Sequence, residues 1–257
     1  MIVTQPRHPL SYRKPKTMKK LLLSVIILAS AASLSLLSSC RFGCVKGSGT
    51  QTTHNEKVEK FDRIKISGPF HVKLKQDSSM SVSITADDNF FRYIKMSSDG
   101  STLTIKTRKN FCGSGEVVVN IGVGMLKRIE GDGPVNYTSD GKLTTGDLRL
   151  ELNGKSEVDM DLNAANVITE TNGLSNVTLR GQATSHKVEV NGSGTLHAFE
   201  FVVSKYDIQS TGKFDGEVNV LNDLGVQSTG SANVQYKGNP RNVNTSKTGA
   251  STVTHVN

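Results

Sequence analysis

The body of this chain lacks an excess of either charge. Its 257 residues carry a formal net charge of +8, from 31 Lys+Arg against 23 Asp+Glu. Six of the cations (Arg7, Arg13, Lys14, Lys16, Lys19 and Lys20) fall in residues 1–40, which contain no acid. The remainder holds 25 basic and 23 acidic residues. That near balance gives no overall footprint for a phosphate backbone, so no nucleic-acid partner is expected. Trp is absent, aromatics are 5% and apolar residues 35%, with almost no stripes at helical spacing. A helical bundle is therefore not expected. The chain also lacks a phosphate-binding glycine loop, a nucleophile elbow and a calcium-binding nonapeptide repeat. There is no Cys-x-x-Cys, and none of His8, His54, His71, His186, His197 and His255 stands at ligand spacing from a second His or Cys. No metal and no cofactor are expected.

Residues 1–40 form a leader. Met18-Lys19-Lys20 opens a positive segment, and Leu21 to Leu37 is apolar but rich in Ser and Ala. It is short for a membrane span and reads as an export signal, with Met18 favoured as the true start. Leu37-Ser38-Ser39-Cys40 resembles the lipobox of bacterial lipoproteins. The resemblance implies that Cys40 becomes the mature N-terminus and carries acyl chains, several of which anchor stably where one would be marginal. It places the protein in the cell envelope, at the outer membrane of a Gram-negative bacterium. Residues 41–56 are polar, small and aperiodic, and read as a flexible tether. Cys44 and Cys112 are either a disulfide, which an oxidising compartment permits, or two free thiols.

From Lys57 the pattern has period two. Ile64, Ile66, Phe70, Val72 and Leu74 share one parity, while Arg63, Lys65, His71, Lys73 and Lys75 hold the other. That is strand alternation. Asp87-Asp88 before Asn89-Phe90-Phe91 predicts one short helical turn with an Asp cap. Further on the chain repeats. Gly131, Gly154, Gly173, Gly192, Gly212, Gly230 and Gly249 recur at intervals near 20. Four residues past them stand Val135, Val158, Val177, Leu196, Gly216, Val234 and Val253, and six before them Met125, Leu148, Val167, His186, Tyr206, Leu224 and Val243. A period near 20 with strand parity inside it predicts an all-β, right-handed parallel β-helix. The expected layout is an irregular N-terminal part over 57–124 and regular coils over 125–257. Glycine suits the corners because it reaches positive φ without steric cost. Phe214 replacing a small residue while Gly216 replaces Val reads as one large side chain filling a neighbour's space. His186, in an apolar column, reads as a hydrogen-bonded structural histidine.

The segment Val58 to Val72 (VEKFDRIKISGPFHV) resembles the opening of the GIN-domain family, described as an auto-transporter adhesin head. Thr102-Leu103-Thr104-Ile105, the Asn-Gly-x-Ser and Ser-Thr-Gly-x units, and Tyr236 to Pro240 are similar to later parts of that family. The resemblance covers about 57–257 and implies a right-handed β-helix, exported or lipid-anchored, with no established catalytic residues.

Glu157, Asp159 and Asp161 alternate with apolar residues and project from one outer face, neighbours about 7 Å apart. Such a cluster could serve a polysaccharide hydrolase or lyase. A solvated strand face produces the same pattern, and adjacent coils offer no matching acids. The expected function is a non-catalytic, adhesin-like interaction module that binds glycan or protein. A carbohydrate-active enzyme and a purely structural envelope protein are the alternatives. The last unit ends at Asn257 without a recognisable cap, so homo-oligomerisation through exposed coil ends is expected.

Overall fold

The computed structural model describes residues 43–257 apart from Ser78 and Ser114. The export signal, the Met18 start and the lipidation residue Cys40 lie outside the described residues. The chain is all-β. In order it forms β1 (Val45–Lys46), β2 (Gln51–Lys57), β3 (Arg63–Ser67), β4 (Phe70–Gln76), β5 (Ser81–Asp87), β6 (Ile94–Ser98), β7 (Thr102–Thr107), β8 (Phe111–Cys112), β9 (Val118–Val123), β10 (Arg128–Asp132), β11 (Val135–Thr144), β12 (Asp147–Lys237) and β13 (Asn242–His255). Among the described residues one 3-10 turn, Asp88–Phe90, interrupts them. Among the described residues no helix is long and apolar enough to cross a membrane.

β12 runs for 91 residues of extended backbone. Drawn straight it would span about 300 Å, so it folds back on itself. The stacking is visible at its glycines. A Cβ placed on Gly173 would lie 2.6 Å from the Gly154 carbonyl oxygen, one on Gly192 2.5 Å from that of Gly173, and one on Gly212 2.2 Å from that of Gly192. Gly230 and Gly249 repeat the contact. These glycines have φ between +92° and +126°, and only a residue without Cβ can hold such a corner while touching the corner below. β13 pairs in parallel with the end of β12, Gly249 opposite Gly230 and Val253 opposite Val234.

The first glycine of the predicted column is misplaced. Gly131 pairs with Leu152, two residues before the corner. The corner belongs to Gly133 (φ +88°), whose backbone Gly154 touches. Gly131 has another task. The Tyr137 ring packs over it, and the Tyr137 hydroxyl donates to the Glu130 carbonyl at 2.8 Å. The same two-residue shift removes Met125 from the apolar column, and it is 65% exposed. The Phe214–Gly216 exchange is resolved as complementary packing, since a Cβ on Gly216 would meet the Phe214 ring at 2.7 Å.

Residues before 147 join the stack out of chain order. β3 pairs in parallel with β10 on one side and with β7 on the other. β4 likewise lies between β11 and β9. The rung β3–β4 is thus inserted between β7–β9 and β10–β11. Its apolar parity is the interior parity read from sequence: Ile64, Ile66, Phe70, Val72 and Leu74 are all buried. Each contributes about 1.5–3 kcal/mol by leaving water.

The sheet is mixed, which corrects the expectation of a purely parallel one. β6 runs antiparallel to β7, β5 antiparallel to β9, and β2 antiparallel to β5. A hairpin explains β6–β7, since a short connection joins only antiparallel neighbours, whereas β5–β9 and β2–β5 are antiparallel pairs between strands distant in the chain. These strands cover the end of the stack.

The flexible tether over 41–56 also needs correction. Residues 51–57 form β2, and β1 pairs with β8. Cys44 and Cys112 are disulfide-bonded, their Cα atoms 5.6 Å apart. Asp87 completes the attachment. Its carboxylate is buried, accepts from the Gly49 amide at 3.1 Å, and leaves no room for a Cβ at Gly47 or Gly115. It makes no side-chain cap to the 3-10 turn, so the predicted Asp cap is replaced by an anchor for the incoming chain.

Candidate functional site

Counting from a corner glycine, the residues one and three places on both point outward. Stacked rungs, about 4.8 Å apart, therefore build two parallel rails. The pairing register sets His71 opposite Asn136 and Asn136 opposite Glu157, and the repeat continues with Asn176 and Thr195. This rail is entirely polar. The rail beside it runs Pro69, Pro134, Lys155, Leu174 and Ser193, and Leu174 is 59% exposed. Between the rails lies an open groove of about 620 Å³, closed at one end by Phe111, Gly115, Glu116 and Val117. His71 Nε2 lies 3.6 Å from the Glu116 carboxylate. An imidazole, two amides, a carboxylate and a hydroxyl are thus set at rung spacing beside a mixed rail in which Pro69, Pro134 and Leu174 are the apolar members.

The predicted carboxylate cluster divides. Glu157 faces the groove. Asp159 is held by the Arg180 guanidinium, and Asp161 lies 3.7 Å from Lys142 Nζ. The other acid of the groove, Glu116, is three rungs from Glu157, about 14 Å at rung spacing. Paired glycosidase carboxylates stand about 5–9.5 Å apart. Among the described residues no group of three His, Cys, Asp or Glu side chains could hold a metal ion.

The opposite outer face is closed upon itself. Lys65 reaches Glu130 at 2.7 Å, Arg128 reaches Glu130 at 2.9 Å and Glu151 at 2.5 Å, and Arg149 reaches Glu151 at 2.6 Å and also Glu170. The hydrogen bond to Glu130 holds the Lys65 ammonium pKa above its ordinary value. Before the corners, Asn153 donates to Asp132 at 3.1 Å, Asn172 to Asn153 at 3.0 Å and Asn191 to Asn172 at 3.2 Å. The regular spacing of these asparagines, each one residue before a corner glycine, was the signal for this ladder in the sequence. The groove was not legible there, because its closed end comes from β8 and the residues after it.

His186 is buried among Thr169, Phe201 and Tyr206, and its Nε2 is 2.9 Å from Thr169 Oγ1. Burial pushes its pKa down to about 3. It is a neutral structural side chain, remote from the groove.

Residues 60–240 match the family described as "Putative auto-transporter adhesin, head GIN domain". The chain belongs to this family. Solved structures resembling the GIN domain include a putative adhesin from Bacteroides fragilis, with TM-score 0.78 and 22% identity over 82% of this chain and 100% of that one. A putative lipid binding protein from Parabacteroides distasonis follows at 0.63 and 17%, over 84% and 100%. A putative adhesin from Parabacteroides merdae gives 0.59 and 20%, over 83% and 99%. At these identities the likeness shows the fold. A comparison with curated proteins gives no match.

Proposed function

We propose that this GIN domain is a right-handed β-helical, adhesin-like interaction module of the bacterial envelope, anchored through acyl chains on Cys40. The reading rests above all on the two-railed groove across successive rungs. Hydroxyl-rich or peptide ligands of extended shape would lie along the stack, with hydrogen bonds to His71, Asn136, Asn176 and Thr195. Their apolar edge would rest on Pro134 and Leu174. Each rung adds a similar small contribution, which suits a polymer rather than a compact small molecule. Repeated weak contacts are also what adhesion needs, since avidity multiplies them. The adhesin-type relatives favour the same reading.

The test is a screen of envelope and host glycans and extended peptides against the purified full chain. A ligand retained by the natural protein should bind at least tenfold less tightly to the double variant Asn136→Ala/Asn176→Ala, whose melting temperature stays within a few degrees. Equal binding by both proteins removes the groove from the function. Should Glu157→Gln instead abolish turnover of a polysaccharide, the carbohydrate-active reading takes its place. The far edge of β13 is the place for a second copy, and sedimentation that finds only monomer at high concentration removes that part. Protease shaving of intact cells decides which side of the outer membrane the domain faces.

A further inference from the structure

The near balance of charge in the body conceals one strongly cationic patch. Arg92, Tyr93, Lys95, Lys106, Arg108 and Lys109 line a shallow concavity of about 280 Å³. The five cations are all exposed. None has a carboxylate within ion-pair distance among the described residues, whereas Arg128, Arg149 and Arg180 each have at least one. Lys95 is directly opposite Lys106 across the β6–β7 pair. Facing like charges destabilise a sheet. A lysine on the edge strand β6 discourages strand addition, but that accounts for Lys95 alone. Lys106 stands on β7, which is paired on both sides, and Arg108 and Lys109 follow in the loop. The Arg92 guanidinium lies over the Tyr93 ring, 5.2 Å from its centroid.

The patch sits where the chain enters the domain. The Val45 amide donates to the Asn110 carbonyl at 2.8 Å, one residue beyond Lys109, and Cys112 is bonded to Cys44. Four residue steps separate Cys44 from Cys40, and an extended chain covers about 14 Å in that number. We infer that this patch seats the domain on an anionic lipid surface, its cations meeting headgroup phosphates. The orientation rests on the reading of Cys40 as lipid-bearing; the affinity of the patch does not. A lipid chain combined with a basic patch is a general two-signal arrangement for stable membrane attachment.

The experiment uses the full chain with Cys40→Ser, which cannot be acylated, so its outcome does not depend on the anchor. Vesicles of phosphatidylcholine alone and of phosphatidylcholine with phosphatidylglycerol are sedimented with it. Retention should be greater on the anionic vesicles and fall steeply between 0.1 and 0.5 M salt. The triple variant Lys95→Ser/Lys106→Ser/Lys109→Ser should lose about fivefold per charge removed. Lys205→Ser/Arg241→Ser/Lys247→Ser, with the same change in net charge elsewhere, should bind like the parent. Equal retention on both vesicle types, or equal loss in the two triple variants, overturns the proposal. So does competition by millimolar inorganic phosphate at constant ionic strength, which would assign the patch to a free anion. Mass spectrometry of the natural protein separately reads whether Cys40 is acylated.

Discussion

From Asp147 to His255 each rung lies on the one about nineteen residues earlier, whereas residues 43–144 enter the same stack out of chain order. In the first region one corner of each rung is a positive-φ glycine seated on the glycine below. In the second, β3–β4 is held between rungs from two later parts of the chain. The contrast shows two routes to one interior. Repetition makes each interface a copy of the next, so one small residue type recurs at one place. At the end of the stack no copy follows, and antiparallel strands, a disulfide and the buried Asp87 do the covering.

The sharpest way to break the comparison is Gly192→Ala. Backbone strain at φ +121° and a Cβ 2.5 Å from the Gly173 carbonyl oxygen together cost about 4 kcal/mol. Gly131→Ala, outside the column, should cost clearly less in the same urea titration. Equal losses would mean that the corners are not the limiting contacts. Next comes the end of the stack. Cys44→Ser/Cys112→Ser should cost about 3 kcal/mol, and its new proteolytic cuts should fall between residues 43 and 57. Cuts within 147–237 would show that the two regions unfold as one.

A third effect separates the regions by pH. His186 has a folded-state pKa of about 3, below its ordinary 6.5. The unfolded chain therefore takes up the proton first, and the stabilisation present above pH 6.5 is lost as pH falls toward 3. Between pH 7 and 5 this amounts to about 2 kcal/mol. His186→Gln should flatten that part of the stability profile, and an unchanged acid limb would assign it to other groups. The smallest effect belongs to the amide ladder. Asn172→Ala removes one bond on each side and should cost about 1 kcal/mol. A null result there, with a tenfold loss for the groove variant, would confine the ladder to shape.

Much of the fold was readable because the interior is repetitive. Parity placed Ile64, Ile66, Phe70, Val72 and Leu74, and the Phe214–Gly216 exchange announced its own packing. Gly131 misled because the first interval is irregular, and both Gly131 and Gly133 are glycine. Residues 44–57 have no apolar alternation, so β2 could not be seen: its pairing with β5 is made by backbone groups, while its side chains are mostly exposed. The carboxylates of 157–161 were legible as a row, but their partners Arg180 and Lys142 lie on neighbouring rungs.

What the sequence determined by itself is what repeats along the chain: strand parity, a rung of about nineteen residues and the glycine corners that rung requires. Family membership followed from the same residues. Only tertiary structure decided which rungs are neighbours near the N-terminus, where the groove closes and that five cations share one concavity. Those relations join residues far apart in sequence through backbone pairing, and backbone hydrogen bonds carry little mark of side-chain identity.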